Sequence, residues 1–190
     1  MAADNTVSRS LHDLGLATWF GGSLMGAVGL NGAAADVEEP KQRLRVANAG
    51  WNRWTPVNLA GIAVHVVGGT VLLAANKGRV AGQQGVARAT VAKTALTGAA
   101  LVATAWSRAL GAKLDQAGEG RSVPVEGGTE PRGDTPQDVA KAQRQLKALQ
   151  WLIPALTGAL LVLNARMGEQ QRPTQVTGGL LSRLRPRRAT

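Results

Sequence analysis

The sequence predicts an all-α fold, a bundle of four transmembrane helices, and three observations support this prediction. First, apolar residues are gathered into long uncharged runs, although the mean hydropathy of the whole chain is only −0.05. Second, polar and charged residues collect between those runs. Third, the 24 glycines and the single Phe provide little bulk for a soluble core, whereas small residues suit helices that pack closely in lipid.

The first span is predicted at residues 11–35. Its segment Leu14–Ala35 has 22 residues without a charge, enough to cross a hydrocarbon core of roughly 30 Å at about 1.5 Å per residue. Ser10 and Asp13 have the spacing of a helix N-cap and its N3 acceptor, so we expect the helix to begin at Leu11. A cleavable signal peptide is the alternative, but its apolar region is usually only about 7–15 residues long.

One face of this first helix is predicted to be the contact seam of the bundle. Gly22 and Gly26 form a small-xxx-small unit, which lets a second helix pack against the backbone. Gly15 and Trp19 extend the same face towards the start of the helix. We therefore expect these four residues to contact another helix rather than lipid.

The second span is predicted at residues 55–76, after a polar link at residues 36–54. Pro56 fits the first turn of this helix, where a missing N–H breaks no hydrogen bond. A polar and small face is expected to point into the bundle. Its members at helical spacing are Asn58, Gly61, His65 and Asn76.

The third and fourth spans are separated by a long hydrophilic segment. The third, residues 89–107, contains Lys93, whose long side chain can extend to the membrane surface. The Gly, Pro and charge content of residues 108–135 predicts an extended or mobile loop outside any core. The Thr-Pro pair at 135–136 then marks a helix start, and the fourth span is predicted at residues 148–166.

The bundle is expected to occupy residues 1–170, followed by a basic, flexible tail at residues 171–190. Four arginines of the tail are expected to attract anionic lipids: Arg183, Arg185, Arg187 and Arg188. Four spans place both termini on one side, and the Lys and Arg near span ends indicate that this side is cytoplasmic. Four tryptophans are expected at the opposite interface: Trp51, Trp54, Trp106 and Trp151.

Composition removes several classes of function. The chain has no Cys, which excludes disulfides, thiolate metal sites and Cys nucleophiles. Its net charge of +10 is attributed to anionic lipid, because no motif for binding nucleic acid accompanies it. There is also no phosphate-binding loop, nucleophile elbow or metalloprotease helix, so no catalytic residue is proposed. The sequence leaves enzymatic activity open and favours a non-enzymatic role.

His12 and His65 are the only histidines, and both fall in or at a predicted span. Ionisable residues within a membrane are candidates for function, so both are candidate haem or metal ligands. Counted from the predicted helix starts, however, their depths differ by roughly 15 Å at 1.5 Å per residue. Since both axial ligands of one haem lie at nearly one level, the sequence argues against a shared iron. A neutral imidazole hydrogen-bonded within the bundle is favoured, with no cofactor.

Asp13 and Lys93 are expected about one turn inside the same membrane surface. An ion pair between them would offset the cost of placing either charge in the membrane. Helix capping is the alternative role for Asp13.

The segment LHDLGLATWFGG, residues 11–22, resembles the first helix of several small four-helix membrane families. In these families a His precedes a Trp-x-Gly-Gly unit by one or two helical turns, as in copper-resistance-D-like and anthrone-oxygenase-like membrane proteins. The whole chain, including WNRWTPVNLAGIAVHVVGG, is more similar still to uncharacterised actinobacterial integral membrane proteins. The resemblance implies a four-helix transmembrane bundle. It does not imply copper transport, because this chain lacks clusters of Met and His.

The favoured function is a non-enzymatic scaffold or accessory subunit of a membrane assembly, in the cell (plasma) membrane. Its partners would be the lipid bilayer and another membrane protein or a second copy of the chain. One alternative is a haem- or metal-binding redox protein that uses His65. The other is a small transporter with a polar path along Asn58, His65 and Asn76.

Overall fold

Long helices account for most of the computed structural model, which describes residues 5–82, 84–120 and 123–169. In chain order the elements are α1 (Thr6–Met25), a π-helical turn (Gly26–Leu30), α2 (Asn31–Ala35), α3 (Pro40–Ala75), α4 (Lys77–Gly82), α5 (Gln84–Gly120) and α6 (Gln137–Glu169). The β-structure found in these ranges is one isolated bridge between Val125 and Pro131. The predicted all-α fold is confirmed. The arginine tail, residues 171–190, lies outside the described residues.

Within the described residues, three helices are long and apolar enough to cross a membrane: α3, α5 and α6. With the N-terminal helix α1 they make up the predicted count of four, and they support a membrane-embedded protein. The first predicted span is not among the three. Its unbroken α-helix ends at Met25, where the π-helical turn begins, and its early turns carry Arg9, His12 and Asp13.

Helix α1 begins earlier than the sequence predicts. It starts at Thr6, after Asn5, whose carbonyl oxygen accepts from the backbone N–H of Arg9 at 2.9 Å. Ser10 and Asp13 therefore lie inside the helix, and the prediction that they cap its start is wrong. The carboxylate of Asp13 instead accepts a hydrogen bond from the Asn164 side chain of α6, at 3.4 Å.

Helix α3 begins at Pro40 rather than at Thr55. Glu39 caps it by accepting from the backbone N–H of Lys41 at 3.3 Å, and Pro40 occupies the first turn. Residues 40–54, predicted as part of a polar link, are the first turns of this one 36-residue helix. The turn between α2 and α3 is therefore short, and α1 and α3 form a close antiparallel hairpin.

The segment between α5 and α6 packs into a second core, so the predicted exclusion of residues 123–135 from any core is wrong. Residues 108–120 continue α5, and Val123 and Val125 are buried with Leu44 and Leu114. The Gln143 side chain donates to the carbonyl oxygens of Gly127 at 2.9 Å and Gly128 at 3.3 Å. Composition missed this segment because its two valines become buried only where α3, α5 and α6 come together.

The main core joins all four long helices. Its buried members are Leu16, Trp19, Ile62, Ala100, Ala103, Ile153 and Leu160. Helix α1 packs against α3 and α6, and α6 packs against α5. Helices α3 and α5 touch much less, and a cavity lies between them.

Candidate functional site

Glycines bring the backbones of α1 and α3 into contact. A Cβ atom on Gly15 would lie 2.6 Å from the backbone nitrogen of His65, and one on Gly68 would lie 2.7 Å from the carbonyl oxygen of Ser8. A Cβ atom on Gly61 would lie 3.0 Å from the Thr18 methyl group. Cβ atoms essentially never approach backbone so closely as at the first two positions. The crossing of α1 and α3 is therefore set where no side chain intervenes.

At this crossing His12 of α1 and His65 of α3 each bond to the backbone of the other. The Nδ1 atom of His12 lies 2.8 Å from the His65 carbonyl oxygen, and that of His65 lies 2.9 Å from the His12 carbonyl oxygen. Because a carbonyl oxygen only accepts, each Nδ1 carries the hydrogen and donates it. The two imidazoles stack with centroids 4.0 Å apart and planes 16° from parallel. We call these two residues the histidine pair.

The argument that placed the two histidines at different depths is wrong. It counted His65 from Thr55, whereas α3 begins at Pro40. His12 and His65 lie at similar distances along the chain from the turn at residues 36–39, so the antiparallel hairpin brings them to one level.

The histidine pair does not fit a haem held between its rings. Axial ligands approach the iron from opposite sides of the macrocycle, whereas these ring faces contact each other. Trp19 closes a further side with its ring edge-on to His65, at a centroid distance of 6.2 Å, and donates to the Thr104 hydroxyl at 3.1 Å. Within the ranges that the structure describes, no three His, Cys, Asp or Glu side chains are grouped to hold a metal ion. The Nε2 atom of His12 is buried without a hydrogen-bond partner.

The structure does not bring Asp13 and Lys93 into an ion pair. Asp13 is exposed on α1 and contacts Asn164, while Lys93 is half-buried on α5. Their nitrogen and oxygen atoms are not within 4.0 Å of each other.

The predicted seam of α1 faces α3 and the core. Gly15, Trp19, Gly22 and Gly26 are all buried. The indole of Trp54 lies over Gly22, and the indole of Trp51 lies over Gly26. Gly22 and Gly26 of α1 thus leave room for the indoles of Trp54 and Trp51 of α3. Both tryptophans also line the cavity.

The cavity has a volume of about 340 Å³ and lies between α3 and α5, with α1 and α6 completing its wall. This volume is within the usual range for small-molecule sites, about 300–1,000 Å³. Towards the second core its wall carries Asn48, Asn52 and Arg108. Towards the histidine pair it carries Leu59, Ile62 and Leu101. The cavity is therefore polar at one end and apolar at the other.

Three residues of the cavity wall each have a buried polar atom without a hydrogen-bond partner. These atoms are Nδ2 of Asn48, Nε1 of Trp54 and Oδ1 of Asn58. Buried polar groups in folded proteins are nearly always paired, and each unpaired one costs about 1–3 kcal/mol. All three atoms are enclosed by protein, so these residues line the cavity with their other atoms.

The predicted polar face of the second span is divided between different surroundings. Asn58 lies on the cavity wall, whereas His65 is buried in the histidine pair. Asn76, the residue after α3, donates to the carbonyl oxygen of Leu72 at 2.8 Å. These three residues do not line one continuous path.

Sequence reasoning missed Asn48, Trp54 and Arg108 as site residues. A signal was present, because Asn48, Asn52, Thr55 and Asn58 recur at steps of three and four residues. That stripe is visible only when α3 is extended back to Pro40. Placing residues 36–54 in a link concealed it.

No protein-family model, curated protein or solved structure matches this chain.

Proposed function

We propose that the protein is a multi-pass protein of the plasma membrane with a non-enzymatic role, as a scaffold or accessory subunit of a larger membrane assembly. The observation that supports this role is the histidine pair. Its two ring N–H groups each donate to a backbone carbonyl oxygen of the other helix and so join α1 to α3. Side chains whose hydrogen bonds run between helices stabilise helix packing, and this favours a structural role for the pair.

Further hydrogen bonds between helices support a rigid frame. The Asn31 side chain donates to Gln150 of α6 at 2.6 Å and accepts from Trp51 of α3 at 3.1 Å. Trp19 and Thr104 join α1 to α5 in the same way. Each such bond contributes about 0.6–2 kcal/mol in a membrane. A bundle whose helices are joined by these hydrogen bonds is suited to a subunit that positions a partner protein.

We place the partner contact on the outer face of α5. This helix is the least covered of the three candidate spans, with 11% of its most apolar window buried. Val102 is 70% exposed and Trp106 is 57% exposed on it. This apolar face of α5 is stable in contact with lipid. A partner helix can pack on it without the cost of desolvating polar groups.

Orientation and lipid contact complete the proposal. The termini are cytoplasmic, because basic residues collect near span ends on that side. The four tail arginines then meet the anionic inner leaflet. The resemblance to actinobacterial integral membrane proteins is part of the same proposal and rests on the residues quoted above.

The mass of the protein extracted at native expression level tests the proposal. In mild detergent, light scattering coupled to size exclusion is expected to give a protein mass well above the 19.7 kDa of one chain. Val102→Trp is expected to reduce that assembly, whereas Val162→Trp on α6, 60% exposed, is the matched control. A lone 19.7 kDa species would overturn the scaffold role. Equal effects of the two variants would overturn the assignment to α5.

A further inference from the structure

Each ring of the histidine pair has one nitrogen left that can take up a proton. Nδ1 of His12 and Nδ1 of His65 already donate to a carbonyl oxygen of the opposite helix, at 2.8 and 2.9 Å. A neutral imidazole with its hydrogen on Nδ1 has a lone pair on Nε2. Acid therefore charges the pair at Nε2, where the added proton needs an acceptor or water.

The closed crossing of α1 and α3 provides neither for His12. Its Nε2 atom is enclosed by protein without a hydrogen-bond partner, and the His12 and His65 residues are only 3% and 1% exposed. The two ring centroids are 4.0 Å apart, so a charge on both rings would place like charges in direct contact. A buried charge without a partner is strongly destabilising, and a second like charge beside it adds to this cost.

The charged side chains around the histidine pair do not offset that cost. Those with an electrostatic effect on the rings are Lys93 of α5 and, on α1 itself, Arg9 and Asp13. Two of these three are cations. The carboxylate of Asp13 is on an exposed residue, where water screens its attraction, and α6 presents the neutral Asn164 to it at 3.4 Å.

The glycines beside the rings leave no space for water in the closed crossing. A Cβ atom on Gly15 would lie 2.6 Å from the backbone nitrogen of His65, and one on Gly68 would lie 2.8 Å from the backbone nitrogen of His12. The two backbones are thus in direct contact next to both histidines. Water reaches Nε2 of His12 only when α1 moves away from α3.

We propose that the histidine pair is an acid-sensitive switch, which holds α1 on α3 while both rings are neutral and releases α1 when the rings are protonated. The same helix contact places the indoles of Trp54 and Trp51 over Gly22 and Gly26, beside the cavity. Release of α1 therefore also removes part of the cavity wall. The switch does not depend on the scaffold role, because it needs no partner protein.

The expected size of the effect follows from proton linkage. Free imidazole takes up a proton at about pH 6.5, whereas carboxylates titrate mainly near pH 4. If the rings bind protons only in the open state, each histidine multiplies the ratio of open to closed protein by about tenfold per pH unit below 6.5. The closed crossing therefore has its full stability above about pH 7 and loses it as the pH falls. Between pH 7 and 5.5 the two histidines together raise the ratio roughly 70-fold.

The separation of α1 and α3 tests the switch. Because the chain has no Cys, spin labels attach only where Cys is introduced. Val7 of α1 and Val71 of α3 are exposed, and they lie close in sequence to Ser8 and Gly68, which are in contact at the crossing. Val7→Cys with Val71→Cys, in the full chain in detergent micelles, is measured by double electron–electron resonance. We expect one narrow distance at pH 7 and a second, longer distance at pH 5.5 that disappears when the pH returns to 7.

A second label pair separates release of α1 from general unfolding. Val102 of α5 and Val162 of α6 are both exposed, and their helices pack together away from the histidine pair. Val102→Cys with Val162→Cys is expected to give the same distance at both pH values.

Asparagine variants test whether the histidines cause the change. His12→Asn combined with His65→Asn keeps an amide N–H close to each Nδ1 position and takes up no proton in this pH range. Its label distances are expected to be the same at pH 7 and 5.5. Thermal melting at pH 7 shows whether the double variant is folded. If it is not, either single variant replaces it, and the ratio of open to closed protein is then expected to change only roughly eightfold, because one titrating ring remains.

Three results would overturn the switch. One is an unchanged distance between the labels on α1 and α3 at pH 5.5. Another is the same lengthening in the folded asparagine variant, since the histidines would then not be its cause. The third is an equal change between α5 and α6, which would indicate general unfolding. A monomer that opens reversibly at pH 5.5 would uphold the switch even if the scaffold role failed.

Discussion

His12 and His65 exchange two hydrogen bonds, at 2.8 and 2.9 Å, each from a ring Nδ1 to the backbone carbonyl oxygen of the other residue. The exchange joins two helices through residues 53 positions apart in the chain. It also fixes the hydrogen of both rings on Nδ1, which leaves a lone pair on Nε2 of each neutral ring.

Replacing His65 is expected to loosen the hairpin of α1 and α3. His65→Leu removes one donor and the ring stack, and is expected to lower stability by about 1–2 kcal/mol. His65→Asn keeps an N–H donor close to the position of Nδ1 and is expected to lower it less. Thermal unfolding in detergent, followed by tryptophan fluorescence, measures both. Equal losses in the two variants would show that the hydrogen bond to the His12 carbonyl contributes nothing.

Adding a methyl group at Gly15 is expected to separate α1 from α3. Gly15→Ala places a Cβ atom against the His65 backbone and is expected to lower stability by about 1–3 kcal/mol. Gly21→Ala is the control, because a Cβ atom there meets nothing within 4 Å. It is expected to be neutral or to stabilise the helix by up to about 1 kcal/mol. The same unfolding measurement tests both, and a tolerated Gly15→Ala would contradict the close crossing.

Arg43 is expected to hold the loop between α5 and α6 in place. Its Nε atom donates to the Val37 carbonyl oxygen at 2.7 Å, and its Nη1 atom pairs with the Glu126 carboxylate at 3.3 Å. Arg43→Gln is expected to increase cleavage after Glu126 by a glutamyl endopeptidase several-fold, because the loop opens more often. Arg45→Gln, at an exposed position of the same helix, should leave the rate unchanged. Equal cleavage rates would show that the pairing with Glu126 does not restrain the loop.

Haemin is expected not to convert to a bis-histidine complex when it is mixed with the purified protein. The ring faces of the histidine pair are in contact, and Trp19 closes one side. An absorbance spectrum of the reconstituted protein tests this expectation. A low-spin bis-histidine spectrum that disappears in His65→Ala would contradict it.

The sequence correctly predicted an all-α fold and four long helices, because uncharged length is a strong signal in a membrane protein. It misplaced helix ends, because residues 40–54 and 108–120 form charged helical extensions whose composition resembles that of loops. Moving the start of α3 from Thr55 to Pro40 displaces His65 by about 22 Å along the helix axis. That error alone separated the histidines and concealed the stripe from Asn48 to Asn58. The burial of Val123 and Val125 depends on tertiary contacts, which hydropathy does not report.

The π-helical turn at Gly26–Leu30 accommodates an additional residue between two α-helical segments. In an α-helix one residue corresponds to about 100° of rotation, so the turn decides which way Asn31 points. In its observed direction Asn31 bonds to both Gln150 and Trp51. The registration of the hairpin with α6 therefore depends on the number of residues in this turn as much as on their identity. Over evolution a one-residue deletion here would be tolerated far less readily than substitution of an exposed residue of the turn such as Val28.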